Sequence, residues 1–293
     1  MPKSSSGRMI AVDGGGTSSR FALVWNGTRH ELRQGPANVA TDFDSAIATL
    51  QRGLSALAAA ADIPLDRLRN VPGYLGLAGV VDPDTGRRVA RAIAMPNVTV
   101  EDDRVAAVTG ALGDRDGTVL GLGTGSFLAR KRGQTIALLG GWGFTLGDEA
   151  SGADLGRKLL RRVLHVADGL AEPGDLAATV LEELGGTPAD IVAAANQAEP
   201  AWFAAFAPRI VEAARAGDPV GLELMHDGAA YLMRAASVLG WTPGEPLCPI
   251  GGLAAQYVQF LPPEAVDSLV QQRGTALDGA LHLAARQQAR RSR

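Results

Sequence analysis

Met9-Ile10-Ala11-Val12-Asp13-Gly14-Gly15-Gly16-Thr17 decides how this chain is read. Four apolar residues run into an acidic residue and three glycines, and Arg20-Phe21-Ala22-Leu23-Val24-Trp25 resumes the strand pattern. A second copy of the device lies a hundred residues on. Val119-Leu120-Gly121-Leu122 runs into Gly123-Thr124-Gly125-Ser126, followed by Phe127-Leu128-Ala129-Arg130. Glycines let backbone N–H groups converge on an anion, and the Thr and Ser hydroxyls add donors. Two such turns predict that the phosphates of one nucleotide are held between two similar halves. Neither turn has the Gly-Lys-Ser/Thr of a P-loop or the spacing of a dinucleotide fingerprint.

The pattern around each copy repeats. Strand-like runs at 8–12, 20–25 and 29–33 precede a helix at 42–61, for which Thr41 and Asp44 resemble a capping box. The strand Gly73-Tyr74-Leu75-Gly76-Leu77, a helix at 84–94, the short strand Val98-Thr99-Val100 and a helix at 104–112 complete the first half. The second half opens with strands at 117–122, 126–131 and 134–139. It continues through a helical region at 150–240, whose clearest helix is 219–239, to a strand at 246–250 and a last helix at 275–286. The order β-β-β-α-β-α-β-α thus recurs, with insertions in the second copy. It predicts two α/β domains, each a mixed five-stranded sheet flanked by helices. Ligands in such sheets favour the carboxyl ends of strands, where both glycine turns fall.

Composition narrows the classes. With 293 residues, 46% hydrophobic and 20% charged, the chain can fill two cores. A net charge of −3 excludes a general nucleic-acid binder. No apolar run reaches the roughly 18 residues of a membrane span. Residues 1–7 lack the apolar segment of a signal peptide and read as a tail, as does the basic end with Arg286, Arg290, Arg291 and Arg293. The single cysteine, Cys248, excludes an internal disulfide and, with the missing leader, predicts a cytoplasmic protein. The four histidines have no metal-ligand spacing.

Three further stretches carry chemistry. Asp103 follows the short strand 98–100, where a carboxylate serves as a helix N-cap or as a general base; the cap alone is the simpler reading. Asp13 beside a phosphate turn suits a hard cation such as Mg²⁺. Gly140-Gly141-Trp142-Gly143-Phe144-Thr145-Leu146-Gly147-Asp148-Glu149-Ala150-Ser151-Gly152 combines five glycines, an aromatic and an acidic pair. That density favours a polyhydroxyl ligand over a plain surface loop. Gly251-Gly252 either meets a nucleotide base or only bends a strand into a helix.

In their order, Asp13-Gly14-Gly15-Gly16-Thr17-Ser18-Ser19-Arg20, Gly76-Leu77-Ala78-Gly79, Asp103, Gly123-Thr124-Gly125-Ser126, Gly140-Gly141-Trp142-Gly143, Gly147-Asp148-Glu149 and Gly251-Gly252 resemble the BadF/BadG/BcrA/BcrD ATPase family, in its amino-sugar kinase branch. The resemblance runs from about residue 8 to 285 and is strengthened by Ala216-Gly217-Asp218-Pro219 and Leu277-Asp278-Gly279-Ala280-Leu281. It implies a two-domain actin-like, ribonuclease H-like fold, with domains at 1–112 and 113–274 and the final helix, 275–293, returning to the first. It implies ATP and Mg²⁺ as cofactors, with Asp13 holding the hydrated metal. Gly14, Gly15, Gly16, Thr17, Thr124 and Gly125 would meet phosphates, and Gly251 and Gly252 the adenosine. Asp103 would take the proton from the 6-hydroxyl of glucosamine, or of N-acetylglucosamine. Asn38, Gly141, Trp142, Gly143 and Asp148 would contact that sugar, and the protein would be a homodimer.

The sequence departs from the branch at Ala150, where glycine is usual, and at Arg104, which is expected to favour the ionised form of Asp103. Related activators of radical dehydratases carry an iron–sulfur cluster on paired cysteines, which one cysteine per chain does not supply. A sugar-responsive DNA-binding regulator would need a segment that residues 1–8 are too short to provide.

Overall fold

The computed structural model describes residues 7–291. The tail at 1–6 and the last two residues, including Arg293, lie outside them. The chain divides into two compact units, one of residues up to 115 together with those from 272 on, the other of 116–271.

The first unit holds β1 (Met9–Gly14), β2 (Ser19–Trp25), β3 (Thr28–Gln34), α1 (Phe43–Ala60), α2 (Leu65–Arg69), β4 (Gly73–Leu77), α3 (Pro83–Ala92), β5 (Val98–Asp102) and α4 (Asp103–Leu112). Its sheet has the order β3-β2-β1-β4-β5, with β1–β2 and β2–β3 antiparallel and β1–β4 and β4–β5 parallel. Alternate residues of the central strands face opposite ways, as the period of two requires. Ile10, Val12, Phe21, Leu23, Leu75 and Leu77 pack on one side, under Leu50, Leu54 and Leu57 of α1. Burying each such leucine contributes roughly 1.5–3 kcal/mol. Met9, Ala11, Ala22 and Tyr74 pack on the other side, against Ala106 of α4 and Leu277, Ala280 and Ala284 of the last helix. Asp42, not the Thr41/Asp44 box, caps α1: its carboxylate accepts the Ser45 N–H at 3.0 Å.

The second unit runs through β6 (Gly117–Leu122), β7 (Ser126–Arg132), β8 (Thr135–Gly140), α5 (Gly152–Ala167), α6 (Asp175–Glu183), α7 (Pro188–Asn196), α8 (Pro200–Ala204), α9 (Ala207–Arg215), α10 (Pro219–Val238), β9 (Leu247–Ile250), α11 (Ala254–Tyr257) and α12 (Pro263–Val266). Its sheet has the order β8-β7-β6-β9, four paired strands where five are expected. The fifth position survives as one parallel bridge between Leu247 and Leu269. The Leu247 N–H donates to Ser268 O and the Val270 N–H to Leu247 O, both at 2.9 Å, after which the chain leaves the edge. Cys248 is buried in β9.

The last helix, α13 (Ala276–Arg291), belongs to the first unit and lies against α4. The two helices touch backbone to backbone: a Cβ on Gly279 would stand 2.0 Å from Ala106 O, and one on Gly110 1.9 Å from Thr275 O. That contact accounts for the glycine inside Leu277–Leu281. No helix among the described residues is long and apolar enough to cross a membrane.

Candidate active site

In the first unit the Asp13–Thr17 turn closes the β1–β2 hairpin. Asp13 pairs across with Arg20 and alongside with Gly76, and the Gly15 N–H donates to Ser18 O at 3.1 Å. The Ala37 N–H donates to Gly15 O at 3.0 Å, which brings the Gly35–Asn38 loop onto the turn. Asn38 then shapes its own loop, with Oδ1 accepting the N–H of Ala40 at 3.0 Å and of Thr41 at 3.3 Å. Its amide nitrogen lies beside Gly16. Asn38 is thus placed with Gly14, Gly15, Gly16 and Thr17, its amide N–H groups left as donors.

Asp13 is half-buried. Burial pushes its carboxyl up, and Arg20, whose guanidinium lies 3.8 Å away, offsets this only in part. A desolvated carboxylate with a distant counter-charge suits a hydrated divalent cation. Among the described residues no three His, Cys, Asp or Glu side chains gather as a metal site. A single carboxylate of this kind fits a hydrated Mg²⁺ ion, which keeps most of its water and would be held by Asp13 through it.

β5 runs to Asp102, two residues beyond the expected strand, and this moves the cap. Asp102, not Asp103, is the N-cap of α4, accepting the Arg104 N–H at 2.9 Å. Asp103 is the first helical residue. Its carboxyl is pushed up to about 7, first by burial, then by the neighbouring charge of Asp102 and a hydrogen bond with it, and by Asp13. Burial works against Asp102 too, but the hydrogen bonds and charge of Arg104 hold that carboxyl below its usual range. Arg104 does favour the ionised form of Asp103, as expected, but its guanidinium is bonded to Asp102 and its pull on Asp103 is outweighed by burial and the neighbouring carboxylates.

In the second unit two motifs form one structure. The Gly123 N–H donates to Gly125 O, closing the β6–β7 turn at 2.9 Å. The N–H groups of Gly152 and Ala153, opening α5, donate to Gly123 O at 2.8 Å and Thr124 O at 3.1 Å. Ser126 Oγ donates to Glu149 O at 2.6 Å. Asp148 adopts φ +58 and lays its carboxylate over Gly125, where a Cβ would stand 2.8 Å from Oδ2. So Thr124, Gly125 and Asp148 are brought together. Gly141 (φ +71) and Gly143 (φ +83) turn the loop, and Trp142 stands 78% exposed at its tip. Phe144 anchors this loop, its ring 4.8 Å from that of Phe203 and its carbonyl accepting from Arg157 at 2.6 Å.

Gly251 (φ +93) presses on β6, for a Cβ there would stand 2.2 Å from Leu122 O. Gly252 faces open space. Gly252 lines a pocket of about 490 Å³ with Gly123, Thr124 and Gly152. Leu253 and Gln256 line it beside Gly252, and the rest of the wall, from Ala204, Ala207, Pro208, Val211 and Arg215, comes from the helical insertion, which the sequence did not assign to the site. Ala207, Val211 and Arg215 do recur at helical spacing, but nothing in that spacing says what the face covers. Two other residues escaped notice. Asp154, 1% exposed, accepts the Ala150 N–H at 3.0 Å and meets Arg157 at 3.0 Å and Lys158 at 2.8 Å. Tyr231 of α10 bonds to the Glu149 carboxylate; burial and then that charge push its phenol up to about 12.

The chain is 27% identical over 281 residues to glucosamine kinase GspK of Vibrio cholerae, covering 94% of this chain and 95% of that protein. It resembles the crystal structure of a candidate N-acetylglucosamine kinase from Chromobacterium violaceum, at TM-score 0.82 and 29% identity over 96% of this chain and all of that one. A glucokinase of the ROK family from Streptomyces griseus, solved with glucose and AMPPNP, shares the fold at TM-score 0.55 and 21% identity, over 96% of this chain and all of that one. These likenesses agree with two mixed sheets flanked by helices, the actin-like arrangement of sugar kinases. The BadF/BadG/BcrA/BcrD ATPase profile matches residues 10–269, and the chain belongs to that family.

Proposed function

We propose that this protein is an ATP-dependent amino-sugar kinase that phosphorylates the 6-hydroxyl of glucosamine. The observation that carries the reading is Asp103: a carboxyl on the first residue of α4, just past the end of β5, raised to about 7 and poised to accept a proton near neutral pH. The full-length similarity to a glucosamine kinase supports an amino sugar as acceptor. Asp103 takes the proton of the 6-hydroxyl as its oxygen bonds to the γ-phosphorus, and the bond to the ADP oxygen breaks in line. Backbone N–H groups of Gly14, Gly16 and Thr17, with those of Thr124 and Gly125, stabilise charge on the phosphate oxygens, while Gly15, whose N–H closes the turn on Ser18 O, lets the backbone approach them. Asp13 holds Mg²⁺ through water; the ion, when bound, neutralises phosphate charge. Gly251 and Gly252 lie at the adenosine. Asn38, Gly141, Trp142, Gly143 and Asp148 contact the sugar, the carboxylate taking its hydroxyls. We place the protein in the cytoplasm, as a homodimer.

N-acetylglucosamine is the second reading, favoured by the likeness to the Chromobacterium violaceum protein. A coupled ADP-release assay with glucosamine, N-acetylglucosamine, glucose or no sugar separates the cases. Sugar-dependent release that is fastest with glucosamine supports the proposal. Faster release with N-acetylglucosamine exchanges the two readings, and equal release without sugar leaves an ATPase that has no sugar acceptor.

A further inference from the structure

The pocket under the Gly123–Thr124 turn has a polar corner that phosphate binding leaves unused. Arg215, the last residue of α9, donates Nη2–H to Oε1 of Gln256 in α11 at 2.5 Å, and both side chains line the pocket. Between this corner and the glycine backbone the lining is Ala204, Ala207, Pro208, Val211 and Leu253, small or apolar groups that suit a flat ring. A guanidinium has only donors, and an amide whose oxygen is held by arginine keeps its NH₂ as its free group. The corner therefore presents N–H groups and asks for acceptors. Purine ring nitrogens are acceptors that adenine and hypoxanthine share. A pyrimidine, with one ring fewer, extends less far from its ribose than a purine.

We propose that Arg215 and Gln256 read the purine edge, so that the phosphoryl donor is selected by ring size and ring acceptors and not by the exocyclic group at position 6. This rests on the reading of the pocket as the nucleotide site. ATP and ITP are then both donors, and UTP and CTP are poor ones.

The test is kcat/KM for ATP, ITP, UTP and CTP at saturating sugar, on the full chain and on Arg215→Ala and Gln256→Ala, with ADP titrated calorimetrically. ATP and ITP should agree within about tenfold, because no group tells them apart. Each substitution should raise KM for ATP and ITP by about three- to tenfold, the worth of one hydrogen bond, and leave UTP and the sugar KM unchanged. An ATP preference over ITP beyond about a hundredfold, or donor ratios unchanged in both variants, overturns the inference. A Gly252→Val variant separates the failures. If it leaves ADP affinity intact, the pocket is not the nucleotide site. If it abolishes ADP binding while the corner variants change nothing, only the purine reading falls.

Discussion

Arg104 grips Asp102 and pulls on Asp103 only weakly. Its Nε lies 2.8 Å from Oδ1 and 3.0 Å from Oδ2 of Asp102, and Nη2 lies 2.5 Å from Oδ2. Two adjacent carboxyls are thereby driven apart, one held ionised and one raised to about 7. Environments that separate neighbouring titrations in this way mark acid–base groups.

Asp103→Asn should cut turnover by about 10²–10⁴ and leave ADP affinity near its normal value. It should also stabilise the fold at high pH. The raised folded value means the ionised group costs stability, a cost absent below the ordinary carboxylate range and complete above about pH 7. Denaturant melts at pH 8 should show the variant more stable by a few kcal/mol, with the gain gone at pH 4. Unchanged turnover would remove Asp103 from the mechanism.

The acid limb of kcat/KM for the sugar should rise through about pH 7, because the protonated carboxyl accepts nothing. Arg104→Ala removes the charge that pulls both carboxyls down, so the limb should move to higher pH. A limb that stays in place or moves to lower pH would show that Arg104 does not tune this pair.

Adjacent glycines should behave oppositely. Gly251→Ala puts a methyl 2.2 Å from Leu122 O at φ +93, and should cost roughly 3 kcal/mol or prevent folding. Gly252→Ala meets nothing within 4 Å, and should leave Tm nearly unchanged while raising KM for ATP. Thermal melts together with nucleotide titration check both.

Ala150 is fully buried at φ +64, its carbonyl accepting the Tyr257 hydroxyl at 3.0 Å. A glycine there loses a packed methyl but relieves the left-handed strain, so Ala150→Gly should stay within about 1 kcal/mol of the parent. Ala150→Val, β-branched in the same conformation, should destabilise by about 2–4 kcal/mol in urea melts. Equal stability of the valine variant would refute the strained geometry.

The glycine turns were legible because left-handed backbone and close approach leave few residue choices, as at Gly251 and Gly125. The strands were legible from period and composition. The cap of α4 falls to Asp102 and not to Asp103 because two more paired residues in β5 shift the helix start, and no local pattern marks that step. The weakened edge at Leu269 and the pocket wall from α9 depend on which of several helical faces packs where. That is settled by long-range packing, which residue spacing does not record.

The seam formed by Gly152 and Ala153 on the carbonyls of Gly123 and Thr124 contains no side chain. A side chain at 152 would crowd Gly123 O at 3.2 Å, but only a residue without an N–H removes one of the bonds outright. Proline at 152 or 153 is therefore the tool for detaching the acidic loop from the Gly123–Gly125 turn. If the seam couples the turn to the loop, nucleotide and sugar affinities should lose that coupling in this variant.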